Sequence, residues 1–527
     1  MTRLRFRART MSVEEKNQSL SESQVALESI DAPGDDALVR KVDLRLIPIL
    51  TLLYLLSFLD RTNIGNAKTC MLRLPSALNL WSFYHTHRHQ SYNTALALYF
   101  VAYVLFEVPA NVRRLRLNLL LLSDYLKIVL KRFDPQIWLP TLTLVWGIVS
   151  ICQGLVKNQA GLFGIRFLLG VTEAGLFPGV IYVFSVYYRR RERSMRVSIF
   201  FGGAALAGAF GGILAFAIGK MEGVGGRKGW EWIFIIEGVI TVAVSLFVLL
   251  LRPVLQLKSD RLAYFIVPTW SHRATFLTEE ERARLLARLK TDSDASREEK
   301  FEWSFVAQAF KDHLVWGYAL LFHGFAFVLY SLSLFLPSII AGLGFASWEA
   351  QLMTVPPNAL ASLSIWATVW ASSRVNLRAP FIIGAALVAI IGYIVVLTGP
   401  TPGAQYVGVH FAAAGVYTGN ALLLSWPGEN VSGQTKRAVA VAMQITIGDI
   451  GAIAGVLVYR PDLSAHRFRK PHIIAIGYLL FAILVAAYLF TWMSRENKRR
   501  DALDEKEESE EEATKLGDRS VKYRYVV

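Results

Sequence analysis

Apolar residues fall along this chain in blocks of about 20 residues, separated by short polar segments. A helix of about 20 apolar residues crosses the roughly 30 Å hydrocarbon core of a bilayer. The pattern therefore predicts an all-α membrane protein with two groups of six helices on either side of a polar segment at 253–313. The predicted helices cover about 44–67, 92–112, 137–156, 161–188, 196–219, 231–252, 314–342, 350–372, 379–399, 404–426, 437–459 and 472–493.

The composition supports a membrane protein and excludes an ordinary soluble one. Of 527 residues, 54% are hydrophobic and 18% are charged, with a mean hydropathy of +0.38. Soluble domains usually carry about 25% charged residues. The formal charge of +15 does not indicate nucleic-acid binding, because Lys and Arg lie in short loops between the apolar blocks. The two cysteines exclude a disulfide framework.

Basic residues cluster in the loops on one side of the predicted helices. By the positive-inside rule this side is cytosolic, and both termini lie on it. Outer loops at 68–90, 220–230 and 460–470 also carry some positive charge, so the bias is clear without being complete. The basic inner loops are 113–117 with 131–132, then 189–196, 372–378 and 435–437, followed by 497–500 after the last helix.

These assignments divide the chain into five regions. Within the central loop, Thr278 and Glu281 fit a capping box that opens an amphipathic surface helix at 278–289. The acidic run at 504–515 is typical of a solvated tail. The regions are a cytosolic N-terminal tail at 1–43, an N-terminal bundle at 44–252, a central cytosolic loop at 253–313, a C-terminal bundle at 314–494 and a C-terminal tail at 495–527.

The most informative residues are charges inside apolar helices, which are costly and usually face a cavity or one another. Arg166 and Glu173 lie seven residues apart in the fourth predicted helix, on one face and about 10 Å apart along the axis. One interpretation is a static ion pair that joins two helices. We favour the other, in which protonation of Glu173 releases Arg166 for a carboxylate substrate.

A second charged group ends the uncharged run at 46–59 of the first predicted helix. Arg61 and Asn63 offer hydrogen-bond donors that suit a carboxylate. Asp60 is interpreted either as a partner of Arg61 or as a cap near the membrane interface. The stretch "SFLDRTNIGNAK" at 57–68 is therefore predicted to form one wall of an anion site.

Other polar residues in the helices are weaker candidates. His323 in the seventh helix and Asp449 in the eleventh are predicted to line the cavity, His323 towards the substrate and Asp449 towards the proton. Glu107 is interpreted as a partner of loop arginines and Glu237 as structural. The stretch "HTHRH" at 85–89 lacks supporting ligands, so no metal site is predicted. No catalytic constellation is present either, so we do not expect an enzyme.

Several of these stretches resemble the fungal allantoate permease family, in the anion:cation symporter branch of the major facilitator superfamily. The resemblance implies two six-helix bundles, alternating access and proton-coupled uptake of small organic anions such as allantoate or nicotinate. It also implies that Arg61 contacts the anion and that Glu173 couples the proton. The matching stretches are "FLDRTNIGNAK", "YNTALALYFVAYVLFEVPAN", "RFLLGVTEAGLFPG", "GAFGG", "WIFIIEG", "ATFLTEEER" and "TKRAVAVA".

Three stretches depart from the family pattern, at 71–90, 113–130 and 252–272. Each occupies a place where the family has a shorter connection. They are interpreted either as untranslated intervening sequence retained in the gene-derived sequence or as genuine loop insertions. The seventh helix departs as well, because it offers His323 where some related carriers have an arginine.

The sequence therefore predicts a multi-pass transporter in the plasma membrane that imports a small carboxylate together with a proton. Its partners are the anion, the proton and the lipid bilayer; no nucleic acid is expected, and the protein is expected to act as a monomer. No cofactor is predicted, because the proton gradient drives transport. The alternatives are a drug or toxin antiporter of the same fold and a nutrient sensor that has lost transport.

Overall fold

The computed structural model of the chain describes residues 34–71, 90–111, 134–254, 267–291, 303–460, 463, 467–503 and 516–527. These residues form α-helices and short 3-10 turns, with no β-strand among them. The helices are α1 Asp35–Met71, α2 Gln90–Asn111, α3 Pro135–Gln153, α4 Gln159–Glu173, α5 Leu176–Tyr187, α6 Arg190–Gly219, α7 Gly229–Val254, α8 Glu279–Thr291, α9 Trp303–Lys311, α10 His313–Gly342, α11 Ser347–Leu352, α12 Val355–Val375, α13 Ala379–Thr398, α14 Pro402–Asn430, α15 Gln434–Val458 and α16 Arg469–Asp501.

The predicted membrane-spanning helices are present, and the all-α class is confirmed. Ten segments of the described chain are long and apolar enough to cross a bilayer, with α4 and α5 together forming one of them. The apolar part of α2 is shorter, at Tyr92–Glu107, and α12 is more polar than the ten. Counting these two gives twelve crossing segments in the described residues, in the positions predicted from the hydrophobic blocks.

The crossing helices form two bundles that pack against each other. In the N-terminal bundle (α1–α7), α1 packs on α6, α2 on α4, and α3 on α7. In the C-terminal bundle (α10 and α12–α16), α10 packs on α15 and α13 on α14. The bundles meet where α1 contacts α10, α2 contacts α15, and α6 contacts both α12 and α14. We call the end where α1 begins and α16 ends the termini side, and the opposite end the far side.

The predicted helix of the central loop is confirmed as α8, which lies against the termini side of the N-terminal bundle. The Glu281 amide donates to the Thr278 hydroxyl, and the Thr278 amide donates to the Glu281 carboxylate, so the capping box is complete. Lys41 at the start of α1 pairs with Glu281 at 2.7 Å, and Arg284 pairs with Asp35 at 2.8 Å. Burial alone would raise the pKa of Glu281, but Lys41 and the Thr278 amide hold this pKa below its ordinary value.

Residues 516–527 pack on the termini side of the C-terminal bundle. The Asn430 side chain donates to the carbonyl of Val526 at 2.8 Å and accepts from the Val526 amide at 2.7 Å. Lys436 pairs with Asp518 at 2.6 Å, while burial raises the pKa of Asp518. This end of the predicted tail is thus held by the bundle. The acidic run at 504–515 lies outside the described residues.

The three stretches that depart from the family pattern fall mostly on residues that the structure does not describe. Those ranges are 72–89, 112–133 and 255–266. The His-rich stretch at 85–89 and the basic loop at 113–117 lie within them. In the described ranges, no three His, Cys, Asp or Glu side chains are grouped so that they could hold a metal ion.

Candidate functional site

The charged stretch of α1 lies inside the protein and not at a surfacing helix end. Helix α1 continues to Met71, well past the charges. Asp60, Arg61 and Asn63 are 1%, 5% and 0% exposed. Charges buried at this depth in a membrane helix require partners or a function.

Arg61 pairs with Glu173, the last residue of α4. Arg61 Nη2 lies 2.7 Å from Glu173 Oε1. The Tyr99 hydroxyl donates to Glu173 Oε2 at 2.7 Å, and the Ser57 hydroxyl donates to Oε1. Both oxygens of Glu173 are therefore satisfied, and the carboxylate joins α1, α2 and α4.

Four aromatic rings surround the Arg61 guanidinium. Its Cζ lies 5.2 Å from the ring centre of Tyr99, 5.3 Å from Tyr103, 5.6 Å from Tyr330 and 5.9 Å from Phe58. Aromatic faces attract a cation at such distances. The Tyr330 hydroxyl also accepts a hydrogen bond from Arg61 Nη1 at 2.9 Å. Since Tyr330 lies on α10, this bond connects the ion pair to the C-terminal bundle.

Arg166 is buried on α4 without a comparable partner. It is 1% exposed, and its Cζ lies 5.9 Å from the ring centre of Phe234. Within the described residues, its Nε and Nη2 atoms have no hydrogen-bond partner. A buried guanidinium with unused donors is suited to bind an anion, because unpaired buried donors are costly.

The predicted pairing of Arg166 with Glu173 is wrong for this conformation. The two residues are on the same helix and both are buried, as expected. The Glu173 carboxylate, however, accepts its hydrogen bonds from Arg61, Ser57 and Tyr99. Arg61 approaches Glu173 from α1 and takes that place. An ion pair that joins two helices is therefore present between Arg61 and Glu173, and Arg166 takes no part in it.

Asp60 and Asn63 point to other helices of the N-terminal bundle. Asp60 accepts hydrogen bonds from Trp146 Nε1 at 3.0 Å and from the Ser150 hydroxyl at 2.8 Å, both on α3. Neither interpretation of Asp60, as a partner of Arg61 or as an interfacial cap, describes this arrangement. Asn63 donates to the carboxylate of Glu237 on α7. Helix α1 thus contacts α3, α4, α7 and α10 through polar side chains.

His323 and Asp449 lie on two helices of the C-terminal bundle that pack together, α10 and α15. His323 Nδ1 is 2.9 Å from the carbonyl oxygen of Ile447, and its ring centre lies 5.8 Å from that of Tyr478 on α16. These contacts face α15 and α16 rather than the Arg61 pair. Asp449 is 3% exposed and lies on α15, the helix that packs against α2.

Sequence reasoning did not assign a role to the Ser57, Tyr99 and Tyr103 side chains next to the ion pair. Ser57 is one turn before Arg61 and therefore shares its helix face, a spacing that could have revealed it. Tyr99 and Tyr103 are four residues apart on α2, but the sequence alone does not distinguish them from packing residues. Glu107 continues this stripe by one more turn. Among the described residues, neither of its buried carboxylate oxygens has a hydrogen-bond partner.

The two bundles are in contact on both sides of the site. On the termini side, the Ser194 and Ser425 hydroxyls are 2.7 Å apart, and Arg193 donates to the carbonyl of Gly428 at 3.0 Å. On the far side, the Asn93 amide donates to the carbonyl of Val456 at 2.6 Å. The Arg61 pair thus lies between two sets of polar contacts that join the bundles.

Comparison with known proteins agrees with this architecture. The family model described as Major Facilitator Superfamily matches residues 50–456. The chain is 34% identical to the MFS transporter prlL of a fungal species, over 90% of this chain and 89% of that protein. It is 31% identical to the high-affinity nicotinic acid transporter of Saccharomyces cerevisiae, over 89% of this chain and 80% of the relative.

Solved structures show the same fold. A bacterial homologue of the human lysosomal transporter Spinster, in an inward-facing and occupied conformation, aligns with a TM-score of 0.55 at 17% identity, covering 84% of this chain and 95% of the other. The proton:xylose symporter XylE aligns with a TM-score of 0.58 at 13% identity, covering 85% and 95%. With its two helical bundles and its match to the family model, this chain belongs to the major facilitator superfamily of membrane transporters.

Proposed function

We propose that this transporter is a proton-coupled symporter of the allantoate permease branch. It imports a small organic anion, such as nicotinate or allantoate, across the plasma membrane, with its termini side in the cytosol. The observation that carries the proposal is the buried guanidinium of Arg166, whose Nε and Nη2 have no hydrogen-bond partner among the described residues. Such a group provides a binding site for a carboxylate. The similarity to a nicotinic acid transporter supports this substrate class.

The contrast between the two arginines supports the coupling. Arg61 is neutralised by Glu173, whereas Arg166 has no ion-pair partner in the described residues. Protonation of Glu173 from outside removes the charge that holds Arg61. Arg61 and Arg166 then both attract the incoming carboxylate, with Asn63 and His323 as further predicted contacts. Binding of the anion thus depends on binding of the proton.

Release follows from the same electrostatics after the bundles reorient. The proton leaves Glu173 towards the cytosol, and the carboxylate of Glu173 recovers Arg61 from the anion. The competition between two anions for one guanidinium expels the cargo. Asp60 and Asp449, both buried carboxylates, stay predictions as additional proton-binding groups, whose loss leaves the coupling through Glu173 in place.

An uptake assay tests the proposal. Cells that express the chain are given labelled nicotinate, allantoate, pantothenate, biotin and short carboxylates at an acidic and at a neutral external pH. We expect saturable uptake of one of these anions, faster at the acidic pH. Efflux that protects cells from a toxin, without acid-stimulated uptake, would instead indicate an antiporter, and saturable binding without flux would indicate a sensor.

A second form of the chain serves as the matched control. It lacks the stretches 71–90, 113–130 and 252–272 and retains Arg61, Arg166 and Glu173. Uptake by the shortened form alone would show that the three stretches block transport. Equal uptake by both forms would show that they are tolerated loop insertions.

A further inference from the structure

The Arg61–Glu173 pair is connected to the C-terminal bundle by one hydrogen bond in the described structure. The hydrogen-bond donors to Glu173 are Arg61, Ser57 and Tyr99, all in the N-terminal bundle. Arg61 donates to Glu173 and, through Nη1, to the hydroxyl of Tyr330 on α10. Any change in the pair that moves the guanidinium therefore acts directly on this contact between the bundles.

Tyr330 is held in position by its own surroundings. It is 7% exposed, and its ring packs edge-on against Phe100 of α2, with ring centres 4.7 Å apart. Its hydroxyl reaches Arg61 at 2.9 Å, with the ring centre 5.6 Å from the guanidinium carbon. Because the ring is anchored by α2 and α10, a shift of Arg61 breaks the hydrogen bond instead of drawing Tyr330 along.

We propose that Tyr330 is a positioning residue that couples the occupancy of the Arg61–Glu173 pair to closure of the two bundles. The inference rests on the proposed function, in which protonation of Glu173 and binding of the anion displace Arg61. The hydrogen bond to Tyr330 then exists only in the empty, deprotonated carrier. This bond stabilises the closed conformation that the empty carrier passes through as it returns to face outward. The loaded carrier reaches its closed conformation without the bond.

This assignment separates two kinds of transport. Net uptake requires the empty carrier to return in every cycle, so it depends on the Tyr330 hydroxyl. Exchange of internal for external anion uses only loaded carriers, so exchange does not depend on the Tyr330 hydroxyl. A residue that merely supports the fold would affect both processes equally.

Tyr103 provides a matched control for Tyr330. Its ring centre lies 5.3 Å from the Arg61 guanidinium carbon, as close as that of Tyr330. It belongs to α2 of the N-terminal bundle, and in the described structure it accepts no hydrogen bond from Arg61. Tyr330→Phe and Tyr103→Phe therefore remove the same atom next to the same cation, but only the first removes the bond between bundles.

The test measures net uptake and exchange in proteoliposomes that contain the full-length protein, with labelled nicotinate as probe. For Tyr330→Phe we expect net uptake to fall about tenfold, the effect typical of losing one hydrogen bond to a charged group, with exchange and KM unchanged. Tyr103→Phe should change net uptake and exchange to the same extent. Equal losses of net uptake and exchange in Tyr330→Phe, or no loss in either, would overturn the proposal.

A distance measurement distinguishes failure of this inference from failure of the proposed function. Spin labels at Gly164→Cys and Gly403→Cys, where an added side chain meets open space, report the separation of the bundles on the far side. Cys70 and Cys152 are replaced by Ser. At neutral pH, Tyr330→Phe should broaden the distance distribution and Tyr103→Phe should not, whatever the cargo is. An unchanged distribution in Tyr330→Phe would overturn the inference even where uptake of nicotinate is observed.

Discussion

Arg61 and Glu173 form an ion pair of 2.7 Å in which the two side chains are only 6% and 1% exposed. The pair joins α1 to α4 between the two polar contacts that close the bundles. Removing one partner of a buried pair leaves an uncompensated charge, which is more costly than removing both. The pair is therefore a structural contact in the empty protein and, in the proposed cycle, the contact that has to open.

Replacing Arg61 is expected to destabilise the protein, because it leaves the Glu173 carboxylate buried with the Ser57 and Tyr99 hydroxyls alone. For Arg61→Ala we expect a loss of about 3–5 kcal/mol in the free energy of unfolding, as for other broken buried pairs. Thermal unfolding in detergent measures it. The double variant Arg61→Ala/Glu173→Ala should recover part of the loss, and equal stability of the single and double variants would contradict a buried pair.

Replacing Arg166 should abolish transport and leave the stability of the protein almost unchanged. Its Nε and Nη2 make no hydrogen bond within the described residues, so Arg166→Ala removes little that stabilises the empty protein. We expect a thermal unfolding midpoint close to that of the wild type and complete loss of concentrative uptake. Arg374→Ala, at an exposed arginine that stacks on Trp370, serves as a control. Retained uptake in Arg166→Ala would remove this arginine from the anion site.

Replacing Asp60 tests which carboxylate carries the coupling proton. Its oxygens are occupied by Trp146 and Ser150, so it is built into the packing of α1 on α3. For Asp60→Asn we expect acid-stimulated uptake to persist, with a loss of about 1 kcal/mol in stability from one weakened hydrogen bond. The ratio of uptake at acidic and neutral pH is the measurement. A ratio of one, with protein still in the membrane, would transfer the coupling role to Asp60.

The docked C-terminal segment yields a prediction independent of transport. The ring centre of Tyr525 lies 4.7 Å from the Arg500 guanidinium carbon and 5.7 Å from the ring centre of Trp492. Tyr525→Ala should release residues 516–527 and make Lys522 a faster site of trypsin cleavage. Leu516→Ala, at an exposed position of the same segment, is the control. Equal cleavage rates in Tyr525→Ala and the wild type would show that the ring does not hold the segment.

The fold could be predicted from the sequence because a bilayer imposes a simple requirement on it. Each crossing helix must satisfy its own backbone and contain about 20 predominantly apolar residues, so the hydrophobic blocks indicate the helices directly. The capping box at Thr278 could be predicted for a similar reason, since its spacing is local. Helices α1, α6 and α16 extend beyond the apolar blocks. The fourth and eighth predicted helices are each interrupted, after Glu173 and after Leu352.

The arrangement of the site was less predictable. Arg61, Arg166 and Glu173 were identified because charges within apolar helices are rare. Their pairing depends on how α1 and α4 pack, and no local spacing determines that. Tyr330 was not distinguishable from a packing residue, because its role depends on an arginine 269 positions earlier in the chain.

The most direct test of the account measures proton and anion fluxes together in proteoliposomes, for the wild type and for Glu173→Gln. We expect the wild type to move protons inward with the anion and to accumulate the anion when the outside is acidic. Glu173→Gln should still exchange anion across the membrane, but without proton movement, accumulation or dependence on pH. Proton-driven accumulation by Glu173→Gln at the wild-type rate would contradict the claim that this carboxylate couples transport to the proton.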